Sequence, residues 1–248
     1  MLTLLRLWWL PCLALAAACS DGGTRTVTPL NPSPTTFSVT GSDLMVVGNS
    51  ETFAAVGITG AALTALRWGS DAPTVATVDP LTGQVTAVGA GAATIFADGP
   101  SIRGAKLIRT LPNFGGSWKG TYEETGCEAS GDLANRGVCS GSEYDFAIAD
   151  MTMTLKQDRA SVSGEFTLLG YRASDVSGSV STDGTLTFTA AALNQSQLKL
   201  ELQNVRFELP EKVRMTGSFE QVYTSRTTSQ SGTWRVFASL RSMQRRGE

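Results

Sequence analysis

The chain contains no histidine, and this one absence removes most of the chemistry that side chains perform near neutral pH. The usual general base, the Ser-His-Asp and Cys-His arrangements and most catalytic zinc sites all need an imidazole. The carboxylates that remain are poorly placed for acid and base work. Glu123 and Glu124 are neighbours on a stretch with strand alternation, so they point to opposite faces. Asp145 and Asp150 are out of phase in the same way. Ser117 and Lys119 share a face, but a serine-lysine dyad also needs burial and an oxyanion hole. Asp132 and Asn135 supply oxygen donors between Cys127 and Cys139 without the dense acidic spacing of a calcium loop. The expectation is a non-enzymatic protein with no catalytic residue, no cofactor and no metal.

The four cysteines at 12, 19, 127 and 139 carry more information. Arg6, the apolar run from Leu7 to Ala18 and the small residues before Cys19 read as an export signal over 1–18, too short to span a bilayer comfortably. Ala16-Ala17-Ala18-Cys19 resembles the lipobox of bacterial lipoproteins, with Ala16 where a larger aliphatic residue is usual. That resemblance implies that Cys19 becomes the lipidated mature N-terminus and that the membrane is a partner. Ser20, rather than Asp, implies the outer membrane if the organism is Gram-negative. Cys12 leaves with the signal, so Cys127 and Cys139 remain as one pair in an oxidising compartment, where a disulfide is expected. Zinc is the alternative for two thiols, but neither a histidine nor another thiol completes a tetrahedral site. A bridge over so short a loop contributes about 3 kcal/mol by loop entropy.

Residues 19–36 are Ser, Thr, Gly, Pro and Asn with almost no large apolar residue, a tether rather than a core. The chain beyond it is long enough for two modest domains. With 20 basic and 22 acidic residues dispersed along it, nothing points to a nucleic-acid partner. From 37 to 111, short β-type runs alternate with Gly, Pro and Asp turns, the pattern of a small sandwich. Trp68-Gly69-Ser70-Asp71, Val75-Ala76-Thr77-Val78, the Gly83-Gln84-Val85-Thr86-Ala87 hairpin partner and Gly89-Ala90-Gly91-Ala92-Ala93-Thr94-Ile95 follow in order. This succession resembles the group 2 bacterial immunoglobulin-like domain, which implies a spacer or an adhesive contact with surface carbohydrate or protein. Val75 and its neighbours are expected to give the buried face, Trp68 to fill the core, and Gly89 and Gly91 to relieve turn and bulge geometry. The stretch from Lys106 to Leu111 alternates poorly for a last strand.

From 112 to 248 the apolar runs lengthen and predict strands at about 117–124, 144–156, 160–169, 174–181, 184–192, 197–209, 211–224 and 231–241. Thr182-Asp183-Gly184 predicts a tight two-residue hairpin loop. A phase slip between Leu202 and Val205 predicts a bulge near Gln203 and Asn204. Met151, Met153, Leu155, Val162, Phe166 and Leu168 belong to one apolar face. Eight curved antiparallel strands close most economically into an up-and-down barrel; abundant Ser, Thr and charge on the other face favour a soluble barrel over a transmembrane one. The fold class is therefore all-β, an immunoglobulin-like sandwich followed by an antiparallel barrel of about eight strands. Gly116-Ser117-Trp118 resembles the opening of lipocalin-like barrels, where the ring closes one end and a late arginine lies over it, here Arg235 or Arg241. Trp118, Phe166, Phe188, Phe207, Phe219, Tyr223 and Trp234 either line a cavity for a small apolar ligand or fill the interior themselves. Arg206, Arg214, Arg226 and Arg235 among Glu208, Glu211 and Glu220 predict cross-strand surface pairs. The leading expectation is a lipid-anchored cell-envelope protein whose sandwich presents a binding barrel. A carrier of an apolar ligand is the alternative, and an envelope enzyme or inhibitor acting through Glu128, Asp132, Asn135 and Arg136 comes third.

Overall fold

The computed structural model describes residues 37–100, 102–140, 148–168, 171–194, 198–225 and 231–247. The export signal, Cys19, the tether, Asp145 and Arg226 lie outside the described residues. Turn residues cut the first part of the chain into short strands: β1 (Phe37–Thr40), β2 (Leu44–Val46), β3 (Ser50–Thr52), β4 (Ala54–Gly57), β5 (Arg67–Ser70), β6 (Ala76–Val78), β7 (Gln84–Ala87), β8 (Gly91–Asp98) and β9 (Arg103–Leu111). They form a four-stranded sheet, β2-β9-β8-β5, a three-stranded sheet, β3-β7-β6, and the pair β1-β4. All pairings are antiparallel except β2 with β9, which run parallel from Leu44 and Arg109 to Val46 and Leu111. The core between them is Phe53, Ala76, Val85, Ile95 and Ile108.

Three expectations for this sandwich need correction. Trp68 is only half-buried and packs against the core from its margin, with the turn glycine Gly83 directly against its ring. Val75 is half-buried too: β6 begins one residue later, so Ala76 takes the buried position and Val75 stays in the turn. The stretch before Leu111 is a full strand, paired with β8 across its whole length. Its alternation looked weak because two inward positions are polar. Lys106 reaches an ion pair with Asp43, and Thr110 donates its hydroxyl to the Gly89 carbonyl. Gly91 adopts φ 143°, and a Cβ on Gly89 would sit 2.5 Å from the Thr74 carbonyl oxygen, so both glycines meet the expected demand.

The second part is built of β10 (Gly116–Ala129), a short helix α1 (Gly131–Asn135), β11 (Ile148–Asp158), β12 (Ser161–Leu168), β13 (Tyr171–Val180), β14 (Leu186–Ala190), β15 (Ala192–Asn194), β16 (Leu198–Glu211), β17 (Arg214–Ser225) and β18 (Thr233–Arg245). β10 to β14 pair antiparallel in succession, as do β15 to β18, and β18 returns to pair with β10. The sheet closes where Leu186 of β14 meets Phe207 of β16, giving an eight-stranded barrel with β15 beside β16. The run expected at 184–192 is thus two strands, broken at Ala191, which turns inward and is buried. The hairpin loop holds three residues rather than two, because the positive φ falls on Gly184 and the Gly184 amide bonds back to Ser181. The bulge lies where the phase slip placed it. Register shifts between Gln203 and Arg206, Asn204 takes φ 49°, and Leu200, Leu202, Val205 and Phe207 all stay buried. The inward faces of β11 and β12 are those the alternation indicated.

Strong curvature demands close backbone approach in places. A Cβ on Gly120 of β10 would lie 1.5 Å from the Ser242 carbonyl oxygen of β18. Gly120→Ala is therefore expected to destabilise the chain by about 1–3 kcal/mol through forced separation of the first and last strands. Leu81→Ser, at a side chain 81% exposed, should stay within about 0.5 kcal/mol. Urea denaturation followed by tryptophan emission measures both.

Candidate functional site

The two ends of the barrel differ in construction. At one end the linker 112–115 carries the chain from β9 straight into β10, and Leu111 and Phe114 are buried in the barrel core. Trp118 is 1% exposed and its indole N–H donates to the Phe114 carbonyl at 2.8 Å. The Arg245 guanidinium lies over the Trp118 ring at 4.9 Å and donates to the Asn113 carbonyl. A charge over an indole face is attracted by the ring quadrupole, so this stack ties the end of β18 to the start of β10. The late arginine is therefore Arg245. Arg235 and Arg241 are taken by surface pairs with Glu220 at 3.5 Å and Glu123 at 3.4 Å.

The barrel interior is a chain of rings packed on one another. Tyr122 meets Phe219 edge to face at 5.4 Å, Phe219 meets Phe207 at 6.0 Å, and Phe207 meets the half-buried Phe188 at 5.8 Å. Phe166 is buried in the same cluster. Of the seven aromatics singled out from the sequence, Trp118 belongs to the sealed end, Phe166, Phe188, Phe207 and Phe219 to the middle, and Tyr223 and Trp234 to the opposite end. There the last two stack at 4.4 Å with 22° between their planes. Sequence reasoning missed Tyr122 and Gln221, both fully buried here. Gln221 was legible, since Phe219, Gln221 and Tyr223 are in phase on β17. Its Oε1 accepts the Tyr223 hydroxyl at 2.7 Å.

This second end carries the disulfide. Cys127 and Cys139 are bridged with Cα atoms 5.5 Å apart, closing a loop that contains α1. The loop is buttoned to the start of β18. Asp132 accepts the Ser231 amide at 2.9 Å and hydroxyl at 2.8 Å, and Ser130 and Thr233 exchange hydroxyl contacts at 2.9 Å. The Ser231 amide, then its hydroxyl, hold the Asp132 carboxyl below the usual range. Trp234 donates its indole N–H to Cys127 Sγ at 3.2 Å. Asp132, considered for calcium, thus serves the loop itself, and no metal-binding cluster occurs among the described residues. Glu123 and Glu124 diverge as expected: Glu123 meets Arg241, and Glu124 acts on Tyr122. Ser117 and Lys119 are exposed.

The geometry defines an all-β protein with an immunoglobulin-like sandwich running directly into a closed eight-stranded barrel. Residues 27–97 match the bacterial immunoglobulin-like domain family, group 2. The match stops within β8, although β9 completes the same sheet. No curated protein matches the chain.

Tyr122 offers a direct probe of the interior. Burial pushes its phenol up to about 12; Glu124 adds to the shift and the neighbouring Gln221 opposes it. An unfolded tyrosine releases its proton near 10, so between about pH 10 and 12 the unfolded state loses a proton that the folded state keeps. The stability associated with Tyr122 is complete below about pH 10 and declines as pH rises through that window. Absorbance titration at 295 nm should show a late-ionising tyrosine that is lost in Tyr122→Phe, whose stability should fall less between pH 10 and 12.

Proposed function

We propose that this chain is a non-enzymatic, lipid-anchored protein of the cell envelope, in the outer membrane if the organism is Gram-negative, that binds through the disulfide end of its barrel. Cys19 carries the lipid, residues 19–36 hold the folded part off the membrane, and the immunoglobulin-like domain acts as the spacer. The observation that carries this reading is the polarity of the barrel. Its sealed end joins the sandwich through Leu111, Phe114, Trp118 and Arg245, whereas the other end holds a rigid loop with Glu128 and Arg136 exposed. A loop fixed by a disulfide and by Asp132 loses little conformational freedom on association, which favours binding. Surface carbohydrate or protein is the partner class. The packed rings favour a self-filled interior over the carriage of an apolar ligand.

Mass spectrometry of the mature protein is expected to find acyl mass on Cys19 and an unbroken Cys127–Cys139 bridge; an unmodified Met1 would overturn the anchoring. For the binding end, a photo-crosslinking residue at position 135 in intact cells should give discrete adducts. The same residue at position 81, exposed on the sandwich, should give few. Equal yields at both positions would overturn the assignment of the binding end.

A further inference from the structure

A second site lies at the opposite, sealed end of the barrel. A groove of about 520 Å³ opens where five separate stretches of chain converge: the turn after β2, the turn after β7, the linker at Pro112 and Asn113, the β16–β17 hairpin and the end of β18. Its walls are apolar, made by Val47, Val88, Pro112, Leu209 and Pro210, and two cations, Lys212 and Arg245, stand at it. None of the residues lining it carries a carboxylate, in a chain whose formal net charge is -2. The volume falls within the range of small-molecule sites, which are mostly apolar with a few placed polar groups and favour the seams between domains.

The walls are held by bonds that do not depend on an occupant. The Val47 amide donates to Leu111 O at 2.9 Å and the Gly48 amide to Ala87 O at 2.8 Å, fixing the sandwich side. Asn113 Nδ2 donates to Val47 O at 3.3 Å, spanning the seam. On the barrel side, the Arg245 amide donates to Val213 O at 2.9 Å, and its guanidinium is held by Trp118 and Asn113 O. Lys212 is exposed at the tip of its hairpin, with its ammonium on a long flexible stem. A preformed apolar trough with one fixed and one mobile cation is complementary to an apolar body bearing one negative charge.

We infer that this groove binds a small amphipathic monocarboxylate, its apolar part against Val47, Val88, Leu209 and Pro210 and its carboxylate toward Lys212 and Arg245. The site is independent of the use proposed for the disulfide end.

The test uses the full chain carrying Cys19→Ser, so that neither lipid nor detergent competes, with octanoate as the probe and 1-octanol as its neutral counterpart. Isothermal titration is expected to show one saturable octanoate site with a Kd below about 1 mM, and 1-octanol at least about tenfold weaker. Lys212→Glu should weaken octanoate by about tenfold or more and leave 1-octanol nearly unchanged. Lys156→Glu, an exposed lysine on the side of the barrel, should change neither. Leu209→Asp should remove binding of both, with the near-ultraviolet signal of Trp118 confirming the fold. No saturable octanoate binding, equal affinity for the alcohol, or equal effects of Lys212→Glu and Lys156→Glu would each overturn the inference.

Discussion

The closure of the barrel depends on pairing its first strand with its last. β10 and β18 share a long ladder from Trp118 and Arg245 to Ala129 and Trp234, interrupted by two shifts of register. Both ends of that ladder are reinforced by side chains. At one end Arg245 covers Trp118 and reaches the linker carbonyl of Asn113. At the other, Trp234 reaches Cys127, whose disulfide holds α1 against the start of β18. Because long-range antiparallel pairing carries a large loop-closure cost, a ladder joining the ends of the barrel sequence benefits most from such fixtures. On the opposite side, β14 meets β16 by one residue pair, Leu186 with Phe207, beside the edge-to-face contact of Phe188 with Phe207.

Order along this ladder separates the interior into zones of different chemistry. Near the linker, the Trp118 indole N–H donates to the Phe114 carbonyl and the Phe114 amide donates to Gln157 Oε1. In the middle, edge-to-face contacts among Tyr122, Phe219 and Phe207 use the favourable quadrupole geometry of rings. Toward the disulfide, Gln221 and Tyr223 bring polar atoms inside. The Gln221 amide is paired through its oxygen alone, which accepts the Tyr223 hydroxyl, while its Nε2 and the Tyr122 hydroxyl are buried without a hydrogen-bond partner among the described residues, an arrangement that costs stability.

Much of this architecture was legible in the sequence because strand periodicity is a local signal. Met151, Met153 and Leu155 announced one inward face, and Leu202 followed by Val205 announced the slip that became the bulge at Asn204. Readings failed where the deciding partner is distant in the chain. The arginine over Trp118 could be narrowed to the late arginines, but the choice of Arg245 over Arg235 and Arg241 rests on the register of β18 against β10, shifted by bulges that no local pattern encodes. Trp68 was expected to fill the core of the sandwich, yet it is half-buried against the core's margin and the Gly83 turn. The seam groove was not legible at all, since its walls come from stretches of chain as distant as Val47 and Arg245.

The parallel pairing of β2 with β9 also gives the chain a mechanical character. β2 lies near the start of the folded part, and β9 leads directly into the barrel. Tension applied between the chain before β2 and the barrel after β9 pulls these two strands from opposite ends. Their ladder from Leu44 to Val46, extended by the Val47 amide on Leu111, is thus loaded in shear, with its hydrogen bonds sharing the force rather than opening one at a time. A domain so connected resists stretching along the axis that runs from its first strands to the barrel.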